Sequence, residues 1–153
     1  MSRFEAWLSD SGIGVAVKQF PADTRTALDA ARVVGCEVGQ IVKSLVFVAA
    51  GKPAVALVSG ANRVDEERLA AVAGAPVTKA DAEAVRRATG YSIGGVPPFG
   101  HATRVPVFMD RDLLDHPSLW AAAGRPDSVF EITPQRLREL SQAEVADLKV
   151  AAQ

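Results

Sequence analysis

Apolar positions recur along this chain in two rhythms. Spacings of three and four mark helices, whereas alternating or unbroken apolar runs mark strands. Residues 2–10 put Phe4, Trp7 and Leu8 on one face of a short amphipathic helix, which Ser11-Gly12 ends. Val15, Val17 and the Gln19-Phe20 pair alternate as a strand that Pro21 stops. Thr24 is placed to cap a helix over residues 25–34, with Ala27, Leu28, Ala31 and Val34 inward and Gly35 as its terminator. Gly39 opens the next element. Residues 41–50 are almost continuously apolar and β-branched, which predicts a buried central strand. Gly51-Lys52-Pro53 predicts a turn, and residues 54–58 a second strand paired antiparallel with the first.

The pattern then shortens. A loop over residues 59–62 leads to Asp65, the expected cap of a helix with Leu69, Ala70 and Val72 inward and Gly74 at its end. Residues 76–78 are short and extended, residues 81–88 helical, and Thr89-Gly90 closes that helix. Residues 105–109 and 129–132 predict strands, while 110–114 and 118–123 predict helical turns broken by Pro117. Thr133 caps a helix to about residue 140 with Pro134 in its first turn, and residues 145–150 read as a strand or a frayed helix. Strands and helices mix without a regular βαβ alternation, so the expected class is α+β in a single domain over residues 1–153.

Residues 90–101 break both rhythms. They hold four of the twelve glycines and two of the nine prolines, a density that neither a helix nor a central strand tolerates. The stretch is therefore a shaped loop, stiff around Pro97-Pro98. Two readings stay open. It is a structural loop with tight turns, or the N–H groups of Gly94-Gly95 point at a ligand as an anion nest or oxyanion hole.

Composition narrows the partners. The chain has 153 residues, 48% of them hydrophobic, with 17 Lys plus Arg against 18 Asp plus Glu and a net charge of −1. A protein that grips nucleic acid through many phosphates is usually basic, so a DNA partner is not expected. An RNA partner would be touched over a small area. Cys36 is the only cysteine, so no internal disulfide forms; with no apolar signal core and no membrane-length run, the expected location is cytoplasmic.

Few residues suit chemistry. Lys43 interrupts the apolar strand, flanked by Ile41-Val42 and Leu45-Val46. Either its tip reaches water, or its ammonium stands at a cleft wall and meets a phosphate or carboxylate, with the Ser44 hydroxyl at the same mouth. His101 ends the glycine-proline loop and serves as a general base or hydrogen-bonds the loop itself. His116 sits in a polar turn. Two histidines and one cysteine, widely spaced, make no zinc site, so no metal or other cofactor is expected. No nucleophile elbow, P-loop lysine or dinucleotide fingerprint occurs, and Cys36 reads as a packed thiol.

Gln40-Ile41-Val42-Lys43-Ser44-Leu45-Val46-Phe47, followed by Gly94-Gly95-Val96-Pro97-Pro98-Phe99-Gly100-His101, resembles the YbaK/ProX-type aminoacyl-tRNA deacylases. These are free-standing relatives of the editing insertion in bacterial prolyl-tRNA synthetases. The resemblance covers nearly the whole chain. It implies a compact α+β domain with a curved, largely antiparallel, barrel-like sheet. It implies a trans-editing hydrolase that deacylates mischarged aminoacyl-tRNA, most of all tRNA for proline carrying alanine, cysteine, serine or threonine. On this reading the family lysine is Lys43 and the G-x-x-x-P motif is Gly94 to Pro98. The oxyanion lies against N–H groups of Gly94 and Gly95, and His101 is free to order the water. Phe20, Leu28, Ala31 and Ser44 wall a small amino-acid pocket, with Val96, Pro97, Pro98 and Gly124 at its rim. The implied partners are the aminoacyl-tRNA acceptor end and, for tRNA identity, prolyl-tRNA synthetase or an elongation factor, with no membrane.

Two rivals remain on sequence alone. One is a non-catalytic module of the same fold that binds a small molecule, a nucleotide or tRNA. The other is an interaction protein whose loop is merely structural.

Overall fold

The computed structural model describes residues 3–20 and 26–151. Helix α1 (Arg3–Ser11) and strand β1 (Val17–Gln19) lead to α2 (Ala27–Val34). Thr26 caps α2, its hydroxyl accepting from the Asp29 N–H at 3.1 Å. The expected cap, Thr24, lies outside the described residues, as do Arg25 and Pro21. The central hairpin follows as β2 (Ile41–Ala49) and β3 (Lys52–Ser59). Its register pairs Ala49 with Lys52, so the turn is the two residues Ala50 and Gly51, with φ of 50° and 78°. Positive φ at both positions matches the twist of a tight hairpin. Lys52 and Pro53, expected in the turn, belong to the strand.

Helix α3 (Glu66–Ala73), strand β4 (Val77–Lys79) and helix α4 (Ala82–Thr89) come next, with Asp65 and Asp81 as the N-caps of the two helices. After the glycine-proline loop come β5 (Val107–Asp110), β6 (Leu119–Ala122), β7 (Ser128–Ile132), α5 (Pro134–Ser141) and β8 (Glu144–Ala146). The segment over residues 118–123 is thus largely strand, not the expected helical turns. Leu119, Ala121 and Ala123 are almost wholly buried, and β6 lies between β2 and β7. Pairing on both sides outweighs the helix propensity of three alanines.

The strands form one mixed sheet in the order β1-β7-β6-β2-β3-β5-β8, with β4 also paired to β2. The β1/β7, β7/β6, β2/β3 and β2/β4 pairs are antiparallel, and the β2/β6, β3/β5 and β5/β8 pairs parallel. The α+β expectation holds. The barrel does not close, because no pairing among the described residues joins β1 to β8.

The larger core joins Val42, Val46 and Leu57 of the hairpin to Phe4, Phe99 and Phe130. These three rings stand 5.3–5.6 Å apart. Phe99 thereby clamps the glycine-proline loop to α1 and β7. Across the sheet, Phe47, Ala56 and Val58 pack on Leu69 and Leu148, and Ala30 and Ala31 of α2 pack on Ile41 and Trp120.

Phe99 is 3% exposed. Phe99→Ala is expected to lower the unfolding free energy by about 3–5 kcal/mol, read by urea denaturation. A loss below about 1 kcal/mol would mean that the ring does not anchor the loop.

Candidate functional site

The site begins with an interruption in the sheet. Along one edge, β2 pairs with β3 from Val42 to Ala49. Along the other it pairs with β6 only at Ile41 and Val42, and with β4 only from Phe47 to Ala49. Successive residues of a strand offer their N–H and C=O to opposite edges. Gly60 N donates to Ile41 O on the β3 side, and Ala80 N donates to Val46 O on the β4 side. Val42, Ser44 and Val46 therefore face the interrupted edge, and Ser44 falls between the end of one neighbour and the start of the other.

A cavity of about 450 Å³ lies along this gap, within the ~300–1,000 Å³ usual for small-molecule sites. Because the sheet is open there, both of its faces contribute. Val42, Val46, Val85, Val96 and Ala121 come from the larger core, and Ala27, Ala30 and Trp120 from the α2 side. Lys43, Ser44, Lys79 and Arg125 supply polarity. The Ser44 hydroxyl is buried and has no hydrogen-bond partner among the described residues.

Lys43 is held from behind. Its ammonium donates to the backbone carbonyl of Asn62. Burial lowers its pKa, and the nearby Arg63 charge lowers it further. The Asn62 side chain donates to Asp112 Oδ2 at 2.9 Å and to Asp110 Oδ2 at 3.4 Å. Asp110 is fully buried, and its other oxygen accepts from the Leu148 N–H. Lys149 donates to Asp112 Oδ2 at 2.8 Å, so its hydrogen bond and that from Asn62 hold the Asp112 pKa below its ordinary value. The carbonyl that receives Lys43 thus belongs to a residue whose side chain is tied to two carboxylates.

Lys43, Ser44, Gly94 and Val96 line the cavity. Gly94 has φ of 91° and open space where a Cβ would stand. Gly95 is different. Its N–H donates to Ser92 O at 2.9 Å, closing a turn, so that donor is engaged. A Cβ on Gly95 would stand 3.0–3.1 Å from backbone atoms of Gly124 and Arg125. Its lack of a side chain serves the contact between two loops rather than access for a ligand. Pro97 and Pro98 are buried behind the cavity wall.

His101 departs most from expectation. It lines a second hollow with Trp7, Arg104 and Gln142. Its Nε2 donates to Pro97 O at 2.7 Å, and burial lowers its pKa. Of its two readings, the geometry is that of the loop-binding one. Phe20, Leu28 and Ala31 do not line the cavity. Helix α2 turns Ala27 and Ala30 to it; Ala31 packs on Ile41 and Trp120, Phe20 on the margin of that cluster, and Leu28 is 48% exposed. Gly124 packs against Phe4 and Tyr91, and its neighbours Arg125 and Pro126 reach the cavity instead. Trp120 and Ala121 were missed because β6 reads as helical in sequence. Cys36 donates to Glu37 O at 3.4 Å, and burial raises its pKa, as for a packed thiol. Among the described residues no three His, Cys, Asp or Glu side chains gather as a metal site, and no helix is long and apolar enough to cross a membrane.

The sequence profile of the aminoacyl-tRNA editing domain matches residues 21–140. The uncharacterized protein YwhH of Bacillus subtilis is 31% identical over 130 residues, 84% of this chain and 83% of that protein. The proline–tRNA ligase of Elusimicrobium minutum is 30% identical over 133 residues, 84% of this chain but 23% of the ligase. A crystal structure of a protein proposed as a trans-editing enzyme for prolyl-tRNA synthetase superposes with a TM-score of 0.93 at 49% identity, over 97% of this chain and 96% of that one.

Two outcomes are expected from this geometry. Gly95→Ala must push the two loops apart, and overpacking of this kind costs about 1–3 kcal/mol, measurable by urea denaturation. An unchanged midpoint would mean that the loops are not in fixed contact. The second concerns Asp112, whose pKa is lower folded than unfolded. Its stabilising contribution is present above the ordinary value of 3.8 and is lost as pH falls through the folded value. The stability gap between the wild type and Asp112→Asn should therefore be widest above about pH 4 and shrink in more acid solution. A gap independent of pH would remove the carboxylate from the network.

Proposed function

The chain belongs to the aminoacyl-tRNA editing domain family, and on that footing we propose that it hydrolyses the ester between a wrongly attached small amino acid and the terminal adenosine of a tRNA. Its likeness to part of a proline–tRNA ligase and to a protein proposed to edit for prolyl-tRNA synthetase makes tRNA for proline the first substrate to test. The observation that carries the reading is the cavity at the interrupted edge of β2, small and largely apolar, with Lys43 and Gly94 on its wall.

The ester is already activated, so the chemistry asks for little. Water adds to the carbonyl carbon, and negative charge gathers on the carbonyl oxygen. The bond to the ribose oxygen then breaks, and the proton lost by water ends on that leaving oxygen. A main-chain N–H at Gly94 is one donor toward the developing charge. The Lys43 ammonium, steadied by the Asn62 carbonyl, meets the phosphate or ribose of the terminal nucleotide. Arg125 adds a second cation. No side-chain nucleophile takes part, and His101 stands outside the reaction.

The valine and alanine walls set the size of the side chain that enters. Size exclusion discriminates only about 10- to 200-fold per methylene. A net charge of −1 suits contact with few phosphates. Recognition of the tRNA body is accordingly assigned to a partner, prolyl-tRNA synthetase or an elongation factor, in the cytoplasm where charged tRNA is used.

The test is deacylation of tRNA for proline charged with alanine, cysteine, serine, threonine or proline. Rapid loss of one or more mischarged species with prolyl-tRNA spared is expected; survival of every species would contradict the reading. Lys43→Ala should lower kcat/KM by about 100-fold or more with the melting temperature retained. Normal turnover by that variant would remove Lys43 from the site.

A further inference from the structure

The interrupted edge of β2 has room for one residue. On one side β6 pairs with β2 as far as Val42, and Ala123 N turns away to Ser128 O. On the other side β4 runs antiparallel to β2, pairing Lys79 with Phe47, and its ladder ends where Ala80 N donates to Val46 O. Asp81 then caps α4, and the chain leaves the sheet. Continued by two residues, that ladder would set a residue opposite Ser44. None is there. The register leaves the Ser44 N–H and C=O facing the cavity with no strand partner among the described residues, and the Ser44 hydroxyl is buried without a hydrogen bond.

The geometry points to Ser44 as the residue that binds the aminoacyl group through its main chain, the amino acid taking the vacant place opposite it as a one-residue strand. In an antiparallel ladder, two such facing residues exchange both N–H···O bonds. The α-ammonium of the aminoacyl ester then donates to Ser44 O. Its carbonyl oxygen accepts from Ser44 N–H, so the donor is already in place when that oxygen becomes the oxyanion. Side chains of facing residues lie on the same side of a sheet. The amino-acid side chain is thus carried beside the Ser44 hydroxyl, onto the face formed by Val42, Val46, Val85 and Val96. An antiparallel partner also runs its ester end toward Val42, which directs the ribose and the tRNA to the β6 side of the cavity. This deepens the editing reading and rests on it.

The test uses the full chain. Ser44→Pro deletes the N–H, and proline is tolerated on a strand where that group is not needed for the ladder. Ser44→Ala removes only the hydroxyl. On a mischarged tRNA that the wild type deacylates, Ser44→Pro should lose about 100-fold or more in kcat/KM relative to Ser44→Ala. Equal rates in two folded variants would overturn the inference. A second measurement does not depend on the proline variant folding. The 15N-labelled wild type is titrated with 3′-alanylamino-3′-deoxyadenosine, whose amide cannot be deacylated in place of the ester. The Ser44 amide proton should move downfield and exchange more slowly with solvent. If the analogue moves the Lys43 and Gly94 amides but leaves Ser44 unchanged, the inference fails while the editing reading stands. If no amide around the cavity moves and the wild type spares every aminoacyl-tRNA, both fall together.

Discussion

The structure turns on hydrogen bonds that one strand does not make. Main-chain N–H and C=O groups inside a protein are almost always paired, and an unpaired one costs about 1–3 kcal/mol. Strand β2 is the centre of the sheet and has neighbours on both edges, yet between Val42 and Val46 one edge has none among the described residues. The cavity is the space that this interruption leaves, and its walls are the core residues that a filled sheet would have hidden.

The remaining architecture holds the gap open without letting it collapse. Phe99, packed at steep ring angles among Phe4, Trp7 and Phe130, fixes the glycine-proline loop on one side. The close approach of Gly95 to residues 124 and 125 ties that loop to the one after β6. From behind, the Asn62, Asp110, Asp112 and Lys149 network ties down the side chain of the residue whose carbonyl receives Lys43. A half-buried lysine with a fixed tether is a positioned group rather than a mobile surface charge. The same few interactions therefore account for the oddities of the sequence: a lysine in an apolar strand, a stiff glycine-proline loop, and a serine with no bond to make.

Much of this was legible in the chain. The unbroken apolar run predicts the central strand, and Asp65 and Thr133 stand where helix caps are needed and serve as caps. Lys43 is conspicuous because a charge interrupts that run. What was not legible depends on pairing between distant segments. Residues 118–123 read as helix because alanine propensity is local, whereas their strand conformation comes from β2 and β7. The close approach of Gly95 to the loop after β6 is not legible, because a small residue that admits a ligand and one that admits another loop look alike in sequence. His101 falls at the end of the glycine-proline loop, but its ring turns to that loop's own carbonyl. The gap beside Ser44 follows from where β4 and β6 stop, which no local pattern records.

The most direct test is a crystal structure of the protein with 3′-alanylamino-3′-deoxyadenosine. The account predicts the alanyl nitrogen and carbonyl oxygen within hydrogen-bonding distance of Ser44 O and N, between β4 and β6, with the nucleoside near Lys43 and Arg125. An analogue seated elsewhere, such as the hollow beside His101 and Arg104, would contradict it.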